Sequence, residues 1–451
     1  MHWKLKVSGY GKIKSAEIET APLTLFVGDN NSGKSYLMSL LWAIQNFGVA
    51  GLLFNGYKAG TKSERAVIDW FKMQIEIACK EKVHKVSAGE IAMDLQAILQ
   101  VVLNLNKDHF ISLIFNSQDV KIKELKIELT GLEEVFLSFE RDEEIGKDLL
   151  TIGSSIGGTR RFRCSPPTVK ALDSDSEPAF IGMLLGLVTG IDFSELNGRN
   201  SRVFLPASRT GFMLTKDIIN KVGRNTAFNL GIEQEKLTPF TRPVNQFLDV
   251  MNDLSFDSKG RKEFDGIVKY LENGMAEGTI EMSTLPNKEV SYVPSGLESG
   301  IPLRAVSAVV TELSPLILIL KHHKNLKSLF YEEPEMCLHP QLQQKMGRVI
   351  CQLVNAGVNM TVTTHSDIIL QHINNMLSLS RREDAAEICR NLKYTPDDLL
   401  KAEQIKVYQL KCGSDGMTEV EELKCGKNGF AIPTFNDALD SIIEEAYTIQ
   451  E

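Results

Sequence analysis

The residues whose spacing carries the most chemistry stand at positions 28–35. Gly28-Asp29-Asn30-Asn31-Ser32-Gly33-Lys34-Ser35 fits G-x-x-x-x-G-K-[ST] in full. Its glycines let the backbone curl so that successive N–H groups face one centre. A helix opening at Lys34 adds the positive end of its dipole. Such a loop cradles a triphosphate: Lys34 reaches the β- and γ-phosphates, and Ser35 offers its hydroxyl to Mg²⁺. The candidate nucleotide contacts are therefore Gly28, Asp29, Asn30, Asn31, Ser32, Gly33, Lys34, Ser35 and the adjoining Tyr36. The motif directly follows the apolar run Leu23–Val27, a context that separates it from a chance Gly/Asn turn.

Two further clusters end apolar strands. Leu329-Phe330-Tyr331 runs into Glu332-Glu333-Pro334-Glu335, and ligands of open α/β sheets bind at the carboxyl ends of strands. Glu332 is the candidate Mg²⁺ ligand, directly or through water. Glu333 is the candidate general base that orients the attacking water. Val362-Thr363-Thr364 leads to His365-Ser366-Asp367. His365 can donate to a γ-phosphate and sense its loss; the alternative is a histidine at a sheet edge, with Ser366 or Asp367 starting the next helix.

These residues need a scaffold. Period-two patterning predicts strands at 4–7, 13–18 and 23–27, and a helix from Lys34 to about Phe47 with Tyr36, Leu37, Leu40, Leu41 and Ile44 buried. Residues 62–115 read as mostly helical, 119–141 as two or three antiparallel strands turning at Thr130-Gly131, and 153–178 as loop. Val203–Pro206 is a short strand, 213–275 returns to helix, and 279–293 is a hairpin turning at Pro286-Asn287. A helix over Leu303–His322 precedes the strand at 328–331. A helix at 340–355, a strand at 359–363, strands at 405–410 and 418–423, and a helix over 436–447 complete the chain. The pattern is an α/β core whose halves are separated by a long insertion.

With 451 residues, 50 Lys+Arg and 58 Asp+Glu, the chain has a net charge of -8 and a mean hydropathy of -0.10, which excludes a polybasic binder and wholesale disorder. Seven cysteines without a C-x-x-C pair speak against zinc ribbons and disulfide frameworks and favour a reducing compartment. No uninterrupted apolar run approaches the roughly 18–20 residues of a membrane span, and the N-terminus is not signal-like, so the expectation is a cytoplasmic protein without a membrane role. The basic run Thr159–Arg163 and Lys121, Lys123 and Lys126 on an expected strand either grip DNA phosphates or line a solvated surface.

The segments FVGDNNSGKS, LFYEEPEMCLHP and TVTTHSD, in this order, resemble the Walker A, Walker B with D-loop, and switch-histidine segments of OLD-like (overcoming lysogenization defect) ABC-type ATPases, relatives of SMC and RecF ATPases. The resemblance implies an α/β ABC-type P-loop ATPase head, a mixed sheet flanked by helices, with a long inserted helical/β lobe. It divides the chain into 1–50 (head, Walker A), 51–199 (inserted lobe), 200–212 (return strand), 213–284 (helical insertion) and 285–451 (head, with signature, Walker B and switch histidine). It also implies ATP and Mg²⁺ as ligands and a homodimer or higher oligomer that sandwiches nucleotide. Its signature Ser-Gly is best matched by Ser295-Gly296, ahead of the Leu303 helix, although the segment is not L-S-G-G-Q. Leu205–Gly211 resembles a recurring segment of such proteins, in which Arg209 neutralises phosphate, contacts the partner, or is a plain surface arginine. The tail lacks the Glu and Asp-x-Asp arrangement of a Toprim nuclease. Any nuclease is therefore expected on a separate polypeptide, and the resemblance implies a nuclease or toxin effector in anti-phage defence with DNA or a phage protein as trigger; the alternatives are an SMC/RecF-like DNA-repair ATPase and an ATP-bound scaffold with little turnover.

Overall fold

The computed structural model describes residues 3–47, 61–142, 147–155, 158–163, 177–189, 201–216, 219, 240–283, 289–427, 429–431 and 443–449. Strands β1 (Trp3–Tyr10) and β2 (Ile13–Glu19) form an antiparallel hairpin. β3 (Leu23–Gly28) is buried at every position, as a strand covered on both faces must be. It delivers the chain to α1 (Lys34–Phe47), where Leu37, Leu40, Leu41 and Ile44 are buried as expected. Tyr36 is only half-buried, because it occupies the first turn beside the exposed Asn31 and Ser35.

Residues 1–20 and 40–199 make one compact unit. Its helix α2 (Lys62–Glu81) starts with a capping box between Thr61 and Glu64. Then follow β4 (Val83–Ser87), a 3₁₀ turn at Ala88–Ile91, α3 (Ala92–Phe115), β5 (Glu124–Leu129), β6 (Glu134–Asp142), β7 (Lys147–Ser154), β8 (Gly158–Arg163) and α4 (Glu177–Thr189). β4 interrupts the expected helical stretch at 62–115. β5 and β6 are not partners across Thr130-Gly131: β5 joins β1, whereas β6 lies between β4 and β7. Alternation gives a strand its faces but not its neighbour. Gly158–Arg163, expected as loop, is the edge strand of the β4-β6-β7-β8 sheet. Of the three lysines assigned to a strand only Lys126 lies in β5, and it is paired with Glu128 at 2.6 Å.

The stretch Ala88–Phe115 is, among the described residues, long and apolar enough by length and composition to cross a membrane. Polar residues interrupt it, and Leu95, Ile98, Leu99, Val102, Leu103, Phe110, Ile111 and Ile114 are buried within the unit. That one-sided burial is the pattern of a helix packed by one face on its unit's core.

Residues 21–39 and 200–451 make the second unit. Its further elements are β9 (Arg202–Leu205), a helical segment 209–216, α5 (Arg242–Asp253) and α6 (Asp265–Leu271). The last continues as a π turn, Glu272–Ala276. β10 (Gly278–Met282), β11 (Val290–Pro294) and the two-residue β12 (Ile301–Pro302) pair antiparallel; the expected hairpin turn at Pro286-Asn287 lies outside the described residues. α7 (Ala308–His322), β13 (Ser328–Glu332), α8 (Pro340–Asn355), β14 (Asn359–Thr364), α9 (Asp367–Ser380), α10 (Ala385–Leu392), β15 (Ile405–Cys412) and β16 (Thr418–Leu423) follow. Of the last expected helix only 443–449 is described, and it is helical.

The sheet of this unit has the order β16-β15-β3-β14-β13-β9. All neighbours are parallel except β15 and β16. The mixed sheet flanked by helices expected of the α/β ATPase head is therefore present. Leu23, Leu25 and Val27 share a core with Leu329, Tyr331, Met360 and Val362; α5 adds Phe247 and Met251 to it, α6 adds Leu271, and the 3₁₀ turn just before α6 adds Phe264. The described part of 213–284 is thus built into this core; the compact units divide at 199/200, where a division was expected, but place 40–50 with the inserted segment and run through 284 without a break.

Candidate functional site

Register brings the three motifs to one sheet end. β14 lies between β3 and β13, with Thr363 opposite both Phe26 and Glu332. The loops after these strands therefore leave the same edge: Gly28–Gly33 after β3, Glu333–Glu335 after β13 and His365 after β14.

The phosphate loop needs glycine at its entrance. Gly28 has φ +133°, and a Cβ there would stand 2.1 Å from the Leu410 carbonyl oxygen. Asn31 (φ 59°) and Gly33 (φ 97°) complete the curl, which no unbroken helix or strand could make. Asp29, Asn30 and Asn31 are exposed and Ser32 is buried. The Lys34 ammonium folds back into the loop, donating to the carbonyls of Gly28 (3.0 Å) and Asp29 (2.6 Å) and to Ser32 Oγ (3.4 Å). Burial lowers its pKa to about 8, against the opposing pull of Glu333, Asp29 and Glu335.

The carboxylates have distinct surroundings. Glu332 is buried, and burial raises its pKa, although the Ser35 hydroxyl and the Ala207 N–H (3.1 Å) both donate to it. A hydroxyl beside a buried carboxylate is a hard-oxygen donor set that suits Mg²⁺, which takes few protein ligands and completes its shell with phosphates and water. Ser35 and Glu332 therefore fit the metal role expected of them. Glu333 is more exposed and lies 3.6 Å, Oε1 to Nε2, from His365. Its backbone is left-handed (φ 41°), an uncommon conformation for a bulky residue. The His365 pKa is lowered by burial and by Lys34, against the pull of Glu333 and Asp29, which favours the neutral imidazole. Ser366 does cap α9, accepting from Ile369 N–H; capping and a role for His365 coexist.

Three residues carry more than their sequence signal suggested. Glu335, read only as part of the D-loop, accepts from Thr364 Oγ1 (2.9 Å) and from the His365 N–H (2.6 Å), so it holds the histidine's backbone. Its place two residues beyond the acidic pair was the one available clue. Arg209 is not a surface, phosphate-facing or partner-facing cation: it is fully buried and ion-paired with Glu312. The loop expected to carry the signature differs as well. The long helix does not begin at Leu303; Leu303–Ala305 is a 3₁₀ turn, Val306 is extended, and Ser307 caps α7 through the Val310 N–H. Ser295 and Gly296 (φ 85°) lie instead in the loop after β11, where the Ser295 N–H donates to the Glu277 carbonyl. The residue standing directly ahead of the long helix is therefore Ser307, not Ser295. Both serines line one cavity of about 640 Å³, with Met275, Tyr292, Ile301 and Val309.

A glycine-cornered loop between a buried strand and a helix, an oxygen donor pair, and a carboxylate–imidazole pair at one sheet end define a P-loop nucleoside-triphosphate site. The chain matches the model of the AAA ATPase domain over residues 1–152 and 216–370, more than half its length, and it belongs to that family. No curated protein matches it in sequence. Among solved structures it is similar to an SmcHead bound to the C-winged helix domain of ScpA, at 13% identity and a TM-score of 0.39, covering 94% of this chain and 98% of that one. It is also similar to the SMC head domain from Thermotoga maritima (11%, 0.32, covering 94% and 100%). A third is the Smc head domain with an extended coiled coil bound to the C-terminal domain of ScpA derived from Pyrococcus furiosus (12%, 0.36, covering 99% and 99%). These likenesses are distant and decide nothing about site or partner.

Proposed function

We propose that the protein is an Mg²⁺-dependent ATPase of the ABC type whose heads join on ATP and separate on hydrolysis. The observation that carries this reading is the meeting of Lys34, Ser35, Glu332, Glu333 and His365 at the ends of three adjacent parallel strands. Lys34 turns from its own loop carbonyls to the β- and γ-phosphates. Ser35 and Glu332 hold Mg²⁺, which when bound neutralises charge on the phosphate oxygens. Glu333 accepts a proton from water as the water oxygen bonds to the γ-phosphorus and the bond to the ADP oxygen breaks. His365 donates its N–H to a γ-phosphate oxygen.

The partner-facing half of the pocket is assigned to the loops around Ser295-Gly296 and Ser307, which flank one cavity. The OLD-like resemblance extends the reading: a cytoplasmic homo-oligomer gates a separate nuclease or toxin in anti-phage defence, on a DNA or phage-protein trigger. The test is ATP turnover, nucleotide binding and oligomeric state of wild type, Lys34→Ala and Glu333→Gln. Loss of turnover in both, with an ATP-stabilised dimer in Glu333→Gln, supports the reading; unchanged turnover in both ends it. Tight ATP binding without turnover in the wild type would favour an ATP-bound scaffold instead.

A further inference from the structure

The Arg209–Glu312 pair is buried beside the acidic strand end, where Arg209 meets the backbone of Glu332 and Glu333. Arg209 is 0% exposed and Glu312 1%. Two charges removed from water cost several kcal/mol each unless geometry and hydrogen bonds return it. Here the guanidinium donates through Nη1 to the carbonyls of Pro206 (3.0 Å) and Glu332 (2.8 Å), and through Nη2 to that of Glu333 (3.1 Å). Its carbon stands 4.7 Å from the centre of the Tyr331 ring. Glu312 answers the charge and also accepts from the Thr210 hydroxyl.

We propose that Arg209 and Glu312 are positioning residues for the Glu333 carboxylate. The Glu333 peptide is pinned on both sides: its N–H donates to the Thr363 carbonyl at 2.9 Å, and its carbonyl accepts from Arg209. A left-handed glutamate persists only where its surroundings over-determine it, and this clamp supplies that constraint. A planar fork with several donors can hold two consecutive carbonyls and an acid at once; the single ammonium of lysine cannot hold the same planar set. Glu312 sits in α7, whose capping residue Ser307 lies on the cavity wall. One ion pair therefore ties the placement of α7 to the aim of Glu333.

This inference rests on the assignment of Glu333 as the base, and the experiment separates the two. Turnover, ATP affinity and thermal melting are measured for Arg209→Lys, Glu312→Gln, Glu333→Gln and the two doubles with Glu333→Gln. The expected result is a roughly 10–100-fold loss of turnover in Arg209→Lys and Glu312→Gln with ATP affinity within about threefold, and no further loss when either is added to Glu333→Gln, since residues that act as one unit are non-additive. If both variants turn over like wild type while Glu333→Gln is inactive, the positioning role is wrong and the base stands. If turnover and ATP affinity fall in step, or the losses multiply in the doubles, the pair merely supports the fold and the proposal is overturned. If Glu333→Gln keeps wild-type turnover, the base assignment falls and this inference with it. Should Arg209→Lys fail to fold, Glu312→Gln and Thr210→Val, which removes only the hydroxyl bonded to Glu312, decide the comparison by the same criteria.

Discussion

Glu333 and His365 face each other across 3.6 Å, one at the end of β13 and the other at the end of β14. The separation exceeds a good hydrogen bond, so neither group is committed to the other and both are free to turn to substrate. Replacing Glu333 by Gln removes the proton acceptor and is expected to lower turnover by about 10²–10⁴-fold with ATP still bound. His365→Ala is expected to lower turnover by about tenfold or more. Steady-state phosphate release checks both, and wild-type rates in both variants would remove the pair from the mechanism.

Lys34 gives a pH signature. In the free protein burial holds its pKa at about 8, below the ordinary 10.5. A triphosphate favours the ammonium form and raises that value, so ATP binding takes up a proton above about pH 8. Affinity should therefore fall as pH rises from 8 to about 9.5, by up to tenfold per unit at the limit. Nucleotide titrations across that range measure it. Lys34→Ala should weaken binding by about 10–100-fold, as expected for lost charge-assisted hydrogen bonds, and flatten the profile. A flat wild-type profile would contradict the buried ammonium.

Gly28→Ala tests the loop itself. The new methyl would meet the Leu410 carbonyl at 2.1 Å on a backbone with φ +133°. Strain and overlap together should cost about 3 kcal/mol, read as a lower urea midpoint, with ATP binding reduced. Retention of both would mean that β3 and β15 separate easily at this end.

His372 predicts acid lability. It is 3% exposed and, among the described residues, neither ring nitrogen has a hydrogen-bond partner. Burial lowers its pKa from 6.5 to about 4, with Asp398 opposing and Arg348 assisting. The unfolded chain binds more protons between those values, so this contribution is complete above pH 6.5 and is lost as pH falls towards 4. The full loss is about 3 kcal/mol. Urea midpoints at pH 7 and pH 5 should differ by less in His372→Phe than in wild type; equal differences would sink the assignment.

Thr364 checks the link to Glu335. Removing its hydroxyl in Thr364→Val leaves Glu335 with the His365 N–H and one acceptor fewer engaged. Turnover should fall several-fold while ATP affinity holds. A parallel loss of both would indicate damage to the strand rather than to the histidine's placement.

The sequence by itself determined what depends on neighbours along the chain. The phosphate loop, the acidic pair at 332–333 and His365 are each a strand running into a polar turn, and local pattern suffices for that. Most strands and helices of the ATPase sheet were legible for the same reason. What only the tertiary structure decided are relations between distant segments. It separated β5 from β6, because a strand's period says nothing of its partner. It moved the helix start from Leu303 to Ala308, because a 3₁₀ turn and a helix share an apolar pattern over so few residues. It also showed that Arg209, which the sequence left open between phosphate, partner and surface, is buried and paired with Glu312. An arginine's burial depends on a carboxylate 103 positions away, Glu312, which no local periodicity can reveal.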